Sequence, residues 1–135
     1  MSEKIIIRVK DVMKSDFDLV DGMDTVAEVL KKSKYPETKC FIVDTRHESD
    51  EYGIVLLSDI AKQVLAKNKS PNRVNIYEIM SKPVVSVDPE MDIRYCSRLF
   101  ENFGLNRAPV VDNLKVIGVV SYTDIVLHGM RDRLL

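Results

Sequence analysis

The longest apolar runs, Ile54-Val55-Leu56-Leu57 and Val116-Ile117-Gly118-Val119-Val120, fall far short of the roughly 18 residues that a membrane-spanning helix needs. Net charge is nearly absent as well. Twenty Lys+Arg against 21 Asp+Glu leave -1, which provides no overall field for nucleic acid or an anionic membrane, and no basic stripe with interleaved aromatics appears. Cysteine is scarce: Cys40 and Cys96 can form at most one bridge, and both fall at apolar positions of predicted elements, where a buried reduced thiol is the common state. The leading Met1-Ser2-Glu3-Lys4, three isoleucines and Arg8 lack the longer apolar region and small-residue cleavage site of a signal peptide, which points to the cytoplasm.

Catalytic equipment is also missing. No HxxxH, CxxC or P-loop pattern occurs, and the two histidines, His47 and His128, lie far apart, so neither catalysis nor a metal site is expected. The acidic stretch Glu48, Asp50 and Glu51 beside His47 reads as a solvated hairpin tip. What is present is an ordinary globular balance, 45% apolar and 30% charged over 135 residues, enough for one compact domain or two small ones sharing a core.

That length holds an internal repeat. Val12-Met13 followed by Phe17-Asp18-Leu19-Val20-Asp21 recurs as Ile79-Met80 followed by Val84-Val85-Ser86-Val87-Asp88. A helix-period segment follows in each half, Val26, Val29, Leu30 and Ser33 against Ile93, Cys96, Leu99, Phe100 and Phe103. Cys40-Phe41-Ile42-Val43-Asp44 then matches Ala108-Pro109-Val110-Val111-Asp112, and Gly53 to Ile60 matches Gly118 to Ile125. A second helix closes each half, through Ile60, Val64 and Leu65 or Ile125, Val126 and Met130. The expected fold is therefore α/β of the α+β type, with two β-α-β-β-α repeats: residues 1–66 with the N-terminal segment, a polar linker at 67–75, and 76–135. Neither three-stranded sheet can bury both faces alone, so the two are expected to pack about a pseudo-twofold axis, creating two related clefts.

The pattern resembles a tandem cystathionine-β-synthase-type (CBS) domain pair, also called a Bateman module. Val12-Met13, Ile79-Met80, Ala108-Pro109-Val110-Val111-Asp112 and Gly118 to Asp124 carry the resemblance, with Gly53 to Asp59 as a weaker copy. It implies an adenosine-containing ligand: AMP, ADP or ATP, and less readily S-adenosylmethionine or NAD. It also implies regulation of a separate protein and no obligatory cofactor.

Asp124 is assigned by that resemblance to the ribose hydroxyls, a charge-assisted arrangement. Ser121-x-x-Asp124 equally fits a capping box, and both roles remain open. Ser121, Thr123 and the first helical amides are expected near phosphate, with Arg107 and His128 as supplementary contacts. Val84, Val85, Ala108, Pro109 and Val110 are expected to wall a purine slot. The first half carries a weaker cleft around Asp59, Ser58 and Phe41, since Leu56 replaces Ser121 and Phe41 replaces Pro109. Exposed apolar side chains around Leu99, Phe103, Val126 and Met130 suit a homodimer. The alternative is a ligand-free dimeric interaction scaffold.

Overall fold

The computed structural model of the protein describes residues 5–135; Met1-Ser2-Glu3-Lys4, on which the signal-peptide reading partly rests, lies outside the described residues. Along the chain run α1 (Val9–Val12), β1 (Leu19–Val20), α2 (Val26–Lys32), β2 (Cys40–Val43), β3 (Gly53–Leu56), α3 (Leu57–Ile60), α4 (Ile93–Phe103), β4 (Arg107–Asp112), β5 (Lys115–Ser121) and α5 (Tyr122–Asp124). Both α3 and α5 continue as wider helical turns, over Ala61–Leu65 and Ile125–Leu134, with i→i+5 bonds such as Ala66 N–H to the Ala61 carbonyl at 2.9 Å. This is an α+β fold, and among the described residues no helix is long and apolar enough to cross a membrane.

The chain forms two compact units, one over Phe17–Val84 and one joining the segment that ends at Asp16 to Val85–Leu135. They do not coincide with the sequence repeats. The turn around Met13 packs with the elements of the second repeat, and the turn around Met80 with those of the first.

In the unit Phe17–Val84 the sheet order is β1-β2-β3, with β1 parallel to β2 and β2 antiparallel to β3, Cys40 opposite Leu56 and Val43 opposite Gly53. Helix α2 begins at a reciprocal cap. Thr25 Oγ1 accepts from the Glu28 amide, and Glu28 Oε1 accepts from the Thr25 amide, both at 3.1 Å. Its next free amides are met by the stretch read as linker: Val26 N–H donates to the Val74 carbonyl and Ala27 N–H to the Pro71 carbonyl, both at 2.9 Å. Val74 then joins Val26, Val29, Phe41, Val43, Val55, Val64 and Ile76 in this unit's core. Leu30, grouped with the apolar face of α2, instead stands 44% exposed.

In the other unit β4 and β5 pair antiparallel, Arg107 opposite Ser121 and Asp112 opposite Lys115, with an irregularity at Val110/Val111. Asp92 Oδ1 caps α4 by accepting from the Arg94 amide at 2.8 Å, and Gly104, at φ 65°, takes the left-handed turn that ends it. The strand expected over Val84 to Asp88 shrinks to a single parallel bridge, Val87 to Val110. Pro83 and Pro89 bracket that stretch and restrict its pairing at both ends. Ile7, Val9, Val12, Val87, Ile93, Cys96, Phe100, Ala108, Val110, Val120 and Ile125 form the core. Burial pushes the Cys96 thiol up to about 11, so it stays protonated at neutral pH. Cys40 is buried too, and no disulfide joins it to Cys96.

Each sheet gains a bridge on its last strand. Lys14 pairs with Val119 through two backbone hydrogen bonds of 2.9 Å, and Ser81 pairs with Ile54 through bonds of 3.0 and 2.9 Å. A glycine precedes each paired residue for steric reasons. A Cβ on Gly118 would stand 2.6 Å from the Lys14 carbonyl oxygen and 2.8 Å from Met13 Sδ; on Gly53 it would stand 3.2 Å from the Ser81 oxygen and 3.1 Å from Met80 Sδ.

Candidate functional site

The strand β5 ends at Ser121, where the chain turns directly into α5. Ser121 has extended dihedrals, and its hydroxyl oxygen accepts from the Asp124 amide at 3.3 Å. Asp124 Oδ2 in return accepts from the Ser121 amide at 3.0 Å and from its hydroxyl at 2.9 Å. The capping box is thus formed. Asp124 Oδ1 is taken by the Lys14 ammonium, which approaches from the segment bridged to Val119. The carboxylate is 1% exposed and the lysine side chain 29% exposed, so the pair has a buried acid and a half-buried base. Three donors therefore satisfy a carboxylate that would be costly to bury alone.

Lys14 escaped sequence reasoning. The available signal was the repeat itself: Lys14 follows Met13 where Ser81 follows Met80, one cation facing a junction whose twin has none.

The structure brings some of the expected residues together. Arg107 opens β4 directly across from Ser121, and the Tyr122 amide donates to the Asn106 carbonyl at 3.1 Å, which holds the junction to the start of β4. Ala108 and Val110 are fully buried core residues, and Pro109, also buried, alternates to the opposite face of the strand. Thr123 is exposed beside Asp124. His128 pairs with Asp132, its Nδ1 3.4 Å from Oδ2, and lines an open depression of about 530 Å³ with Asp11, Val12, Met13, Asp132 and Arg133. The Arg131 guanidinium beside Asp132 holds that carboxyl below its ordinary range, with a smaller contribution from His128. Val85 is half-buried in this unit, whereas Val84 belongs to the unit Phe17–Val84, its amide bonded to the Tyr52 carbonyl at 3.1 Å.

The twin junction is chemically poorer. Leu56 supplies an amide to Asp59 Oδ2 at 2.9 Å but no hydroxyl, and among the described residues no basic side chain pairs with Asp59. Ser58 is exposed, and Phe41, 2% exposed, is spent in the core. In the acidic loop, Asp50 bonds Lys82 at 2.7 Å and accepts the Arg46 amide at 2.8 Å. Among the described residues no His/Cys/Asp/Glu group is arranged to hold a metal ion.

Residues 76–130 match the CBS domain family. A hexameric CBS-CP12 protein from bloom-forming cyanobacteria is 35% identical with a TM-score of 0.88, over 94% of this chain and 70% of that one. The CBS domain pair of protein MJ0100, in complex with 5'-methylthioadenosine and S-adenosyl-L-methionine, is 25% identical with a TM-score of 0.75, over 94% of this chain and 99% of that one. An uncharacterized protein of Methanopyrus kandleri is 33% identical over 111 residues, 81% of this chain. This chain belongs to the CBS-domain family and is a tandem CBS pair. It spans 57% of the Methanopyrus relative's length and 59% of that of an uncharacterized Methanocaldococcus jannaschii relative.

Proposed function

We propose that this CBS pair is a regulatory module that binds an adenosine-containing ligand, an adenine nucleotide ahead of S-adenosylmethionine or NAD, and signals to a separate protein. The observation that carries this reading is the buried Asp124 carboxylate at a strand-to-helix junction. In this reading it accepts from the ribose hydroxyls, with Ser121 and Thr123 beside it and Arg107 and His128 as supplementary phosphate contacts. The adenosine-type ligands of the MJ0100 pair support the ligand class. Binding shifts a conformational equilibrium only by the ligand's differential affinity for its states.

A second reading, a dimeric interaction scaffold, draws on two observations. Asp124 and Ser121 already satisfy each other, and Phe103, Val126 and Met130 stand 61%, 45% and 51% exposed on helices of one unit, with Leu99 partly buried beside them. A thermal-shift panel of AMP, ADP, ATP, NAD and S-adenosylmethionine, with Asp124→Ala in parallel, separates the two. A concentration-dependent rise in Tm that the variant loses supports the sensor. Folded wild-type protein that responds to none of the five at millimolar concentration leaves the scaffold.

A further inference from the structure

Asp124 has one oxygen left to offer a ligand, and it is not vacant. Oδ2 is held by the Ser121 amide and hydroxyl inside the cap, while Oδ1 carries the Lys14 ammonium. With the lysine 29% exposed and the carboxylate 1% exposed, Lys14 is the outer member of the pair and the first group an incoming molecule meets. Resting on the reading of Asp124 as a ribose acceptor, we propose that Lys14 is a built-in counter-ion which the ligand displaces, and that it makes the site select adenosine ligands bearing a 5'-phosphate over neutral or cationic ones.

The selection follows from charge accounting. A ribose hydroxyl that donates to Oδ1 takes the ammonium's place, and an ammonium left half-buried without a partner is unfavourable. A phosphate on the same ligand gives it a new anionic partner through a charge-assisted hydrogen bond. A methylthio group offers no such partner, and a sulfonium adds a like charge. The lysine side chain can make this exchange while its backbone stays fixed, because the two 2.9 Å bonds to Val119 pin Lys14 and its four-carbon stem is flexible. In the twin unit Ser81 occupies the lysine's place, so Asp59 has no such discriminator.

The test is calorimetric titration of the full chain with AMP and with 5'-methylthioadenosine, which share adenosine and differ at the 5' position. Wild-type protein should prefer AMP by about tenfold or more, the worth of one charge-assisted hydrogen bond. Lys14→Gln, which keeps a neutral donor, should lower that ratio by about tenfold, and Lys14→Arg should restore it. A wild-type protein that binds both ligands equally overturns the role of Lys14 without recourse to any variant, as does an unchanged ratio in a folded Lys14→Gln; both outcomes leave the adenosine reading standing. Folded wild-type protein that binds neither ligand overturns that reading, and this inference with it.

Discussion

Met13-Lys14 and Met80-Ser81 perform the same backbone task in their respective units: each pairs with the last strand of a sheet, beside a glycine that leaves room for it. What stands on that shared scaffold differs. One junction has Ser121, Asp124 and Lys14, which form a buried box with an ion pair; the other has Leu56, Asp59 and Ser81, with a single amide bond to the carboxylate. The backbone task constrains little more than the glycine and the bridge, leaving the side chains free to diverge. A carboxylate at the same repeat position is thus a tightly held charge in one unit and a lightly tethered one in the other.

The largest expected effect breaks that contrast directly. Asp124→Ala removes the carboxylate half of the capping box and strands Lys14, and should cost about 3 kcal/mol, whereas Asp59→Ala should cost about 1 kcal/mol or less, measured by urea unfolding. Equal costs would mean that the additional bonds at Asp124 add nothing. A smaller difference is expected at the glycines. Gly118→Ala drives a Cβ to 2.6 Å from a backbone oxygen and should cost about 2 kcal/mol, while Gly53→Ala, with its nearest atoms at 3.1 and 3.2 Å, should stay below about 1 kcal/mol. The reverse order would show that the Lys14 bridge yields more readily than the Ser81 bridge.

The smallest effect concerns pH and belongs to the unit Phe17–Val84. The hydrogen bond from Lys82, followed by the Arg46 amide, holds the Asp50 carboxyl well below its ordinary range. A depressed folded pKa stabilises the fold above the ordinary carboxylate value of about 4, and that contribution is lost as pH falls below it. Asp50→Asn should therefore lower Tm at pH 7, with the gap to wild type closing on acidification. A gap independent of pH would exclude the carboxylate charge as its source.

The parts legible in the sequence are the local ones. Helix α4 follows from its apolar spacing through Ile93, Cys96 and Phe100, and the box at Ser121 from a three-residue offset. The hairpin of β4 and β5 likewise follows from two adjacent apolar runs. Lys14 was not legible as a partner of Asp124 because 110 residues separate them, and only the bridge to Val119 brings them together. The repeat also hid the composition of the compact units: similarity orders the segments along the chain, whereas each Met-bearing turn packs with the opposite repeat. The apolar residues from Val84 to Asp88 have a strand's composition, but Pro83 and Pro89 at its two ends leave it a single bridge.

The most direct test of the central claim is an amide NMR titration of the full chain with AMP, which reads both junctions in one experiment. Chemical-shift changes at Lys14, Ser121 and Asp124 should saturate together, with Ser81, Leu56 and Asp59 little changed. Changes centred on Ser81 and Asp59, or none at either junction in folded protein, would contradict it.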